Sequence, residues 1–165
     1  MDKLTAIHRK IIDVSDLKQA LAYWKFKDMK IVFTNGCFDI IHRGHIEYLA
    51  KASSLGDVLL VGLNTDNSVK QIKGESRPIQ DESSRALILA SLSFIAGIVL
   101  FDEDTPYNLI KTVQPDILVK GSDYAPEDIV GYDIVKAKGG EVITIDITEG
   151  YSTTAVIKRL NPGKE

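Results

Sequence analysis

The chain has a single cysteine, Cys37, among its 165 residues, which excludes an intrachain disulfide and the stapled cores of small secreted domains. It has no apolar run long enough to cross a bilayer, and residues 1–10 mix lysine, aspartate and arginine where a secretory leader would be apolar. It also has no block of like charge. The 20 Lys and Arg and 23 Asp and Glu leave a net charge of −3 spread along the chain, so neither nucleic acid nor a membrane surface is expected as a partner. Internal repeats, low-complexity tracts and domain linkers are missing as well. These absences point to a soluble, cytoplasmic chain.

What remains is 44% hydrophobic, enough to bury one sizeable core. Five short apolar, β-branched runs read as buried strands: Lys30 to Thr34, Val58 to Leu63, Gly97 to Phe101, Ile117 to Lys120 and Glu141 to Ile145. Between them lie helical patterns over Gly44 to Leu55, Glu82 to Phe94, Thr105 to Val113 and Pro126 to Lys138, with Gly56 and Gly139 as stops and Pro106 and Pro126 in first turns. A helix over Ser15 to Lys27 precedes the first strand and one over Thr153 to Leu160 follows the fifth. The order is close to α(βα)5. It predicts an α/β fold with a five-stranded parallel sheet covered on both faces, formed by residues 30–165 behind a helical extension over residues 1–29. The polar stretch Lys73 to Asp81 fits a substrate lid or a plain connection.

Open α/β sheets bind ligands beyond the carboxyl ends of their strands. The polar, glycine-bearing segments of this chain all fall on that edge. After the first strand runs Asn35-Gly36-Cys37-Phe38-Asp39-Ile40-Ile41-His42-Arg43-Gly44-His45, and after the second Asn64-Thr65-Asp66. Gly121-Ser122-Asp123-Tyr124 follows the fourth, and Thr148-Glu149-Gly150-Tyr151-Ser152-Thr153-Thr154 the fifth. His42 and His45 are three apart at a helix start, which puts both imidazoles on one side, beside first-turn amides and a positive dipole end that suit phosphate. Gly44 leaves room for close approach. The same pair also suits a metal, but one cysteine and the one other histidine, His8, leave few soft ligands, so no protein-bound metal is expected. Cys37 reads as a small buried side chain and not as a nucleophile. Ser152, Thr153 and Thr154 cap a second helix and, on the same edge, can hold the far end of a polyphosphate.

With His42-Arg43-Gly44-His45 as an H-x-G-H element and Glu149 to Thr154 as a serine-threonine helix start, the chain resembles the cytidylyltransferase-like nucleotidyltransferases, a Rossmann-like, doubly wound fold. The likeness runs from about Ile31 to Leu160, through Phe33-Thr34-Asn35, Val61-Gly62-Leu63, Arg77-Pro78-Ile79, Phe101 to Pro106 and Val119-Lys120-Gly121, and is strongest to the adenylyltransferases acting on heptose 1-phosphate. The resemblance implies transfer of AMP from ATP to D-glycero-β-D-manno-heptose 1-phosphate, giving ADP-heptose and pyrophosphate for the lipopolysaccharide inner core of a Gram-negative bacterium. It further implies a Mg²⁺-bound nucleotide and a homodimer. No kinase domain stands ahead of residue 1, so a separate heptose kinase is expected to supply the sugar phosphate. Glycerol 3-phosphate cytidylyltransferases carry an arginine where this chain has Ile147, which favours adenine.

On that resemblance His42, His45 and Lys73 carry the chemistry. The nucleotide is expected against Thr34, Asn35, Gly36, Cys37, Phe38, Asp39, Gly44, Lys120, Gly121, Asp123, Glu149, Gly150, Ser152, Thr153 and Thr154. The phosphorylated acceptor is expected against Asn64, Asp66, Lys73, Arg77 and Arg85. For Arg77 and Arg85 a phosphate contact and a surface salt bridge stand side by side. Two rivals stay open: another transferase of this chemistry, acting on glycerol phosphate, phosphopantetheine or FMN precursors, and a nucleotide-binding regulatory module without turnover.

Overall fold

The computed structural model describes residues 2–123, 125–148 and 150–160. Tyr124 and Glu149, both quoted above, lie outside the described residues. Five strands, β1 (Ile31–Gly36), β2 (Val58–Asn64), β3 (Gly97–Phe101), β4 (Ile117–Gly121) and β5 (Glu141–Ile145), form one all-parallel sheet in the order β3-β2-β1-β4-β5. Side chains alternate across it with period two. Val32, Val61, Leu63, Ile98 and Val119 face one core with α3 (Arg43–Ser53) and α5 (Glu82–Ser91). Phe33, Leu60, Val99 and Leu118 face the other with α2 (Val14–Phe26), α6 (Tyr107–Val113) and α7 (Tyr132–Ala137). Burial on both faces is why the strands read as unbroken apolar runs. The helices supply matching stripes, Leu17 and Leu21 from α2 and Ala86, Leu89 and Ala90 from α5.

Strand order reverses between β1 and β4, and there the sheet splits. β1 pairs with β2 over six residues but with β4 only at Val32↔Ile117 and Phe33↔Leu118. Beyond Phe33 the two strands part, which opens a crevice flanked by Asn35 and Gly36 on one side and Lys120 and Gly121 on the other, the place a ligand occupies in such sheets.

Four differences from the sequence expectation have local causes. A short helix α1 (Lys3–His8) precedes α2, and residues 10–12 after it pad the β3 edge: Ile12 N donates to Ile98 O at 2.8 Å and Ile98 N to Lys10 O at 2.7 Å. A helix α4 (Asp66–Lys73), N-capped by the Thr65 hydroxyl, stands where no element was expected, and it buries only Ser68 and Val69, too thin a stripe to be seen in the spacing. The helix expected over Pro126 to Lys138 is two pieces. A 3-10 turn over Pro126–Asp128 stops, Gly131 takes φ 90° over the Ile110 side chain, and α7 restarts after it. The helix expected to reach Phe94 ends at Ser91 because Leu92 turns extended. The last helix, α8 (Thr153–Leu160), has the expected bounds.

Gly62 sits mid-β2 where a Cβ would lie 2.8 Å from the Phe33 ring and 3.2 Å from Leu109. Gly62→Ala therefore overpacks the core and should cost about 1–3 kcal/mol, read as a lowered urea midpoint with unchanged slope. An unshifted midpoint would contradict this packing.

Candidate functional site

The loop after β1 turns into α3 at His42, whose extended backbone (φ −136°, ψ 170°) makes it the N-cap, and its Nδ1 accepts from His45 N at 3.4 Å. That bond leaves the His42 proton on Nε2. The two rings stack with centroids 3.7 Å apart, and Phe38 meets His45 edge-on at 5.3 Å. Burial first, then the charge on His42, pushes His45 down to about 4, while the Ile40 backbone opposes the shift. Burial lowers His42 too. Both rings are neutral near pH 7 in the free protein, and a neutral imidazole still donates one N–H. His45 Nδ1 is sealed from solvent and unpartnered.

The second element closes against the first. A Cβ on Gly44 would lie 3.2 Å from both the His42 ring and Tyr151 Cβ, so a side chain there would press on these neighbours as well as on any ligand. Glu47 on α3 accepts from Arg43 Nε at 2.6 Å and from the Thr148 hydroxyl, and Arg43 sits 5.5 Å above the Tyr151 ring. Gly150 makes the turn at φ 81° and Ser152 caps α8, its Oγ accepting from Ala155 N at 3.1 Å. A cavity of ≈ 620 Å³ results, with His45 and Ser152, Thr153 and Thr154 on its wall together with Asn35 to Asp39, Asn64, Lys73, Arg77 and Lys120. A smaller one of ≈ 230 Å³ is lined by Gly44, His45, Lys120, Gly121, Asp123 and Ile147. Burial pushes the Lys120 ammonium down to about 8, opposed by Cys37. Burial raises the Cys37 thiol above its usual range, which keeps it protonated and unreactive.

Several expected ligand contacts are internal instead. Thr34 is fully buried and shares a 2.8 Å hydrogen bond with Tyr48 Oη, whose own ionisation burial pushes up to about 12. Arg85 is fully buried: Nε donates to Gln80 O at 3.0 Å, NH1 to Cys37 O at 2.6 Å and NH2 to Asp66 Oδ1 at 2.7 Å. Neither Arg85 nor Asp66 faces the cavity, because the guanidinium needs every acceptor it has once water is gone. Asp39 reaches the wall, but its oxygens are taken by Arg77 Nε at 2.6 Å and by the backbone N–H groups of Ile79 and Gln80 at 2.9 Å. Burial alone would raise Asp39, yet these donors outweigh it and hold the carboxyl below the usual range. His42 stands behind His45 rather than on a cavity wall. Glu149 lies outside the described residues.

Missed from the sequence were Ile72, Asp104 to Pro106 and Asp128 to Val130, which also line the larger cavity. Gly131, misread as mid-helix, was the available signal for the last group.

A family model described as cytidylyltransferase-like matches residues 33–159. The bifunctional protein HldE of Nitrobacter hamburgensis is 54% identical over 144 residues, covering 87% of this chain and 29% of that protein. HldE of Campylobacter concisus is 52% identical over 155 residues, covering 94% and 32%. The chain thus spans about a third of the length of these curated relatives. A crystal structure of a lipopolysaccharide core biosynthesis protein from Thermoplasma volcanium superposes with a TM-score of 0.58 at 31% identity, covering 75% of this chain and 99% of that one. A pantoate-beta-alanine ligase from Francisella tularensis, solved with an ATP analogue and beta-alanine, shares the fold at TM-score 0.57 and 19% identity, over 84% of this chain and 68% of that one.

Arg85→Ala leaves the Cys37 and Gln80 carbonyls without their donor and Asp66, a third exposed, without its partner, and should cost about 2–4 kcal/mol, measured by urea unfolding; a change under 1 kcal/mol would contradict a structural role for the guanidinium. Because His45 titrates near 4 when folded and 6.5 when unfolded, the unfolded chain binds more protons between those values. Its contribution is full above pH 6.5 and is lost as pH falls toward 4, by at most about 1.4 kcal/mol per unit. His45→Asn should flatten the stability-versus-pH slope in that window; parallel slopes for the two proteins would contradict the neutral buried ring.

Proposed function

The chain belongs to the cytidylyltransferase-like family of nucleotidyltransferases, and on that premise we propose that it transfers AMP from ATP to D-glycero-β-D-manno-heptose 1-phosphate, releasing pyrophosphate. The observation that carries this is the single cavity walled by both His45 and Ser152 to Thr154, of a size to hold a nucleotide triphosphate and part of an acceptor. The relatives named HldE and the lipopolysaccharide core protein support the sugar acceptor.

An acceptor phosphate is mostly a dianion at neutral pH, its second ionisation being near 6, so it attacks the α-phosphorus without a general base. The bond from that oxygen to phosphorus forms as the bond to the bridging oxygen breaks, and pyrophosphate carries the electron pair away. Catalysis is then alignment plus stabilisation of charge on the phosphates. His45 donates its N–H toward the α-phosphate and leaving oxygen. His42 holds His45 in place by capping the helix turn and stacking on its ring. Lys120, whose ammonium burial brings down to about 8, is held charged by a triphosphate lying beside it. The amides and hydroxyls of residues 152–154 take the β and γ phosphates, the smaller cavity with Asp123 takes the nucleoside, and Lys73 and Arg77 meet the incoming phosphate.

Among the described residues no three His, Cys, Asp or Glu side chains form a group able to hold a metal. In this proposal Mg²⁺ arrives with the substrate, bound by triphosphate oxygens and water as this ion prefers. No helix among the described residues is long and apolar enough to cross a membrane. Action in the cytoplasm as a homodimer, on an already phosphorylated sugar, completes the proposal.

Pyrophosphate release across the four ribonucleoside triphosphates and a panel of sugar, glycerol and cofactor phosphates tests it. ATP with heptose 1-phosphate should exceed every other pair; CTP with glycerol 3-phosphate in first place would overturn the substrate assignment. His45→Ala should lose about 3 kcal/mol of transition-state stabilisation, roughly 100-fold in kcat, and near-normal turnover would remove it from the mechanism. Lys73→Ala should chiefly raise KM for the acceptor; an effect confined to ATP would reassign it.

A further inference from the structure

We propose that Asp39 is a positioning residue: it clamps Arg77 through Nε, so that the two terminal nitrogens of the guanidinium are presented as a fork to the acceptor phosphate. The proposal rests on the transfer reaction above, which brings that phosphate to Lys73 and Arg77.

Two arginines close together in the chain are used in different ways. Arg85 is fully buried and commits all three of its nitrogens to the protein. Arg77 lies on the wall of the ≈ 620 Å³ cavity with its side chain 17% exposed, and only its Nε is bonded, to Asp39 Oδ2 at 2.6 Å. Its two terminal nitrogens have no hydrogen-bond or ion-pair partner among the described residues, and neither is sealed from solvent. A guanidinium anchored at Nε keeps its terminal pair of N–H donors, which matches two oxygens of a phosphate.

The clamp is itself held from several sides. Asp39 is 1% exposed, and besides Arg77 it accepts from Ile79 N and Gln80 N, both at 2.9 Å. Those two amides fix the loop just after Arg77, while Arg77 N donates to Gly74 O at 3.0 Å and fixes it just before. Gln80 O is bound in turn by Arg85 Nε. Backbone and side-chain head of Arg77 are thus tied separately. The rotamer freedom that a long side chain gives up on binding is given up here before the ligand arrives. Lys73, at the end of α4 on the same wall, adds a second positive charge. A phosphate at this place meets one oriented donor pair and one point charge.

Calorimetric binding of heptose 1-phosphate in the presence of α,β-methylene-ATP tests the proposal on wild type, Asp39→Asn, Arg77→Ala and the double variant. Asparagine keeps an acceptor for the loop amides and removes the charge that holds Nε. Asp39→Asn should weaken the acceptor at least about 10-fold, with the Kd of the nucleotide analogue moved less than about twofold. Arg77→Ala should weaken it at least as much, and Asp39→Asn added to Arg77→Ala should change it by no more than about twofold further. A carboxylate that only stabilised the loop would lower affinity in both backgrounds. Arg77→Lys keeps the charge without the fork and should match Arg77→Ala within about threefold; it reads the same claim should Asp39→Asn fail to fold. Wild-type acceptor affinity in Asp39→Asn or Arg77→Lys, or additive losses in the double variant, would overturn the proposal. Pyrophosphate release from ATP and heptose 1-phosphate is scored separately: its absence alongside the expected coupling sinks the transfer reaction and leaves the clamp standing, whereas failure of heptose 1-phosphate to bind the wild type sinks both.

Discussion

A guanidinium with no access to water must be surrounded by acceptors, and satisfying Arg85 draws together the parts that make the cavity. Its three bonds reach Cys37 O in the loop after β1, Gln80 O in the loop before α5, and Asp66 at the start of α4. Each of those segments goes on to line the site, through Asn35 to Asp39, through Arg77, and through Ile72 and Lys73. Asp39 adds a parallel tie, binding the loop at Arg77, Ile79 and Gln80 back to the β1 end. Two buried ionic groups of opposite sign, neither in contact with the other, therefore set the shape of one wall.

The other half of the site depends on the sheet. Because β1 and β4 pair for only two residues, their carboxyl ends diverge, and α3 and α8 approach the gap with their N-termini. The Arg43–Glu47 pair and its hold on Thr148 and Tyr151 fix how far apart those helix ends stand. Gly44 lets them touch. Two sources of positive potential and free amides are thus directed at one volume, with neutral histidines that add donors without the desolvation cost of a buried charge.

Legibility in the sequence followed burial. The runs Gly97–Phe101 and Glu141–Ile145 were read with their observed bounds, and the sheet and its ligand-binding edge followed from five such runs. Residues 66–73 were opaque since they fully bury only two side chains. Arg85 was misassigned because charge usually means surface. The signal against that was its place on the stripe with Ala86, Leu89 and Ala90, one turn before Leu89. Thr34 was misassigned in the opposite way, being the last residue of a buried strand segment and facing Tyr48 instead of the crevice. That His45 and the run from Ser152 to Thr154 share one cavity wall follows from glycine and hydroxyls at two helix starts on the same sheet edge, whereas His42 stands behind His45.

Convergence of the two helix ends on a shared triphosphate is the claim from which the chemistry follows. A crystal structure of the protein with α,β-methylene-ATP tests it directly. The account predicts phosphate oxygens of one nucleotide within about 3.2 Å of both a His45 ring nitrogen and the amides or hydroxyls of residues 152–154. A nucleotide that meets only one of the two groups, or binds away from the gap between β1 and β4, would contradict it.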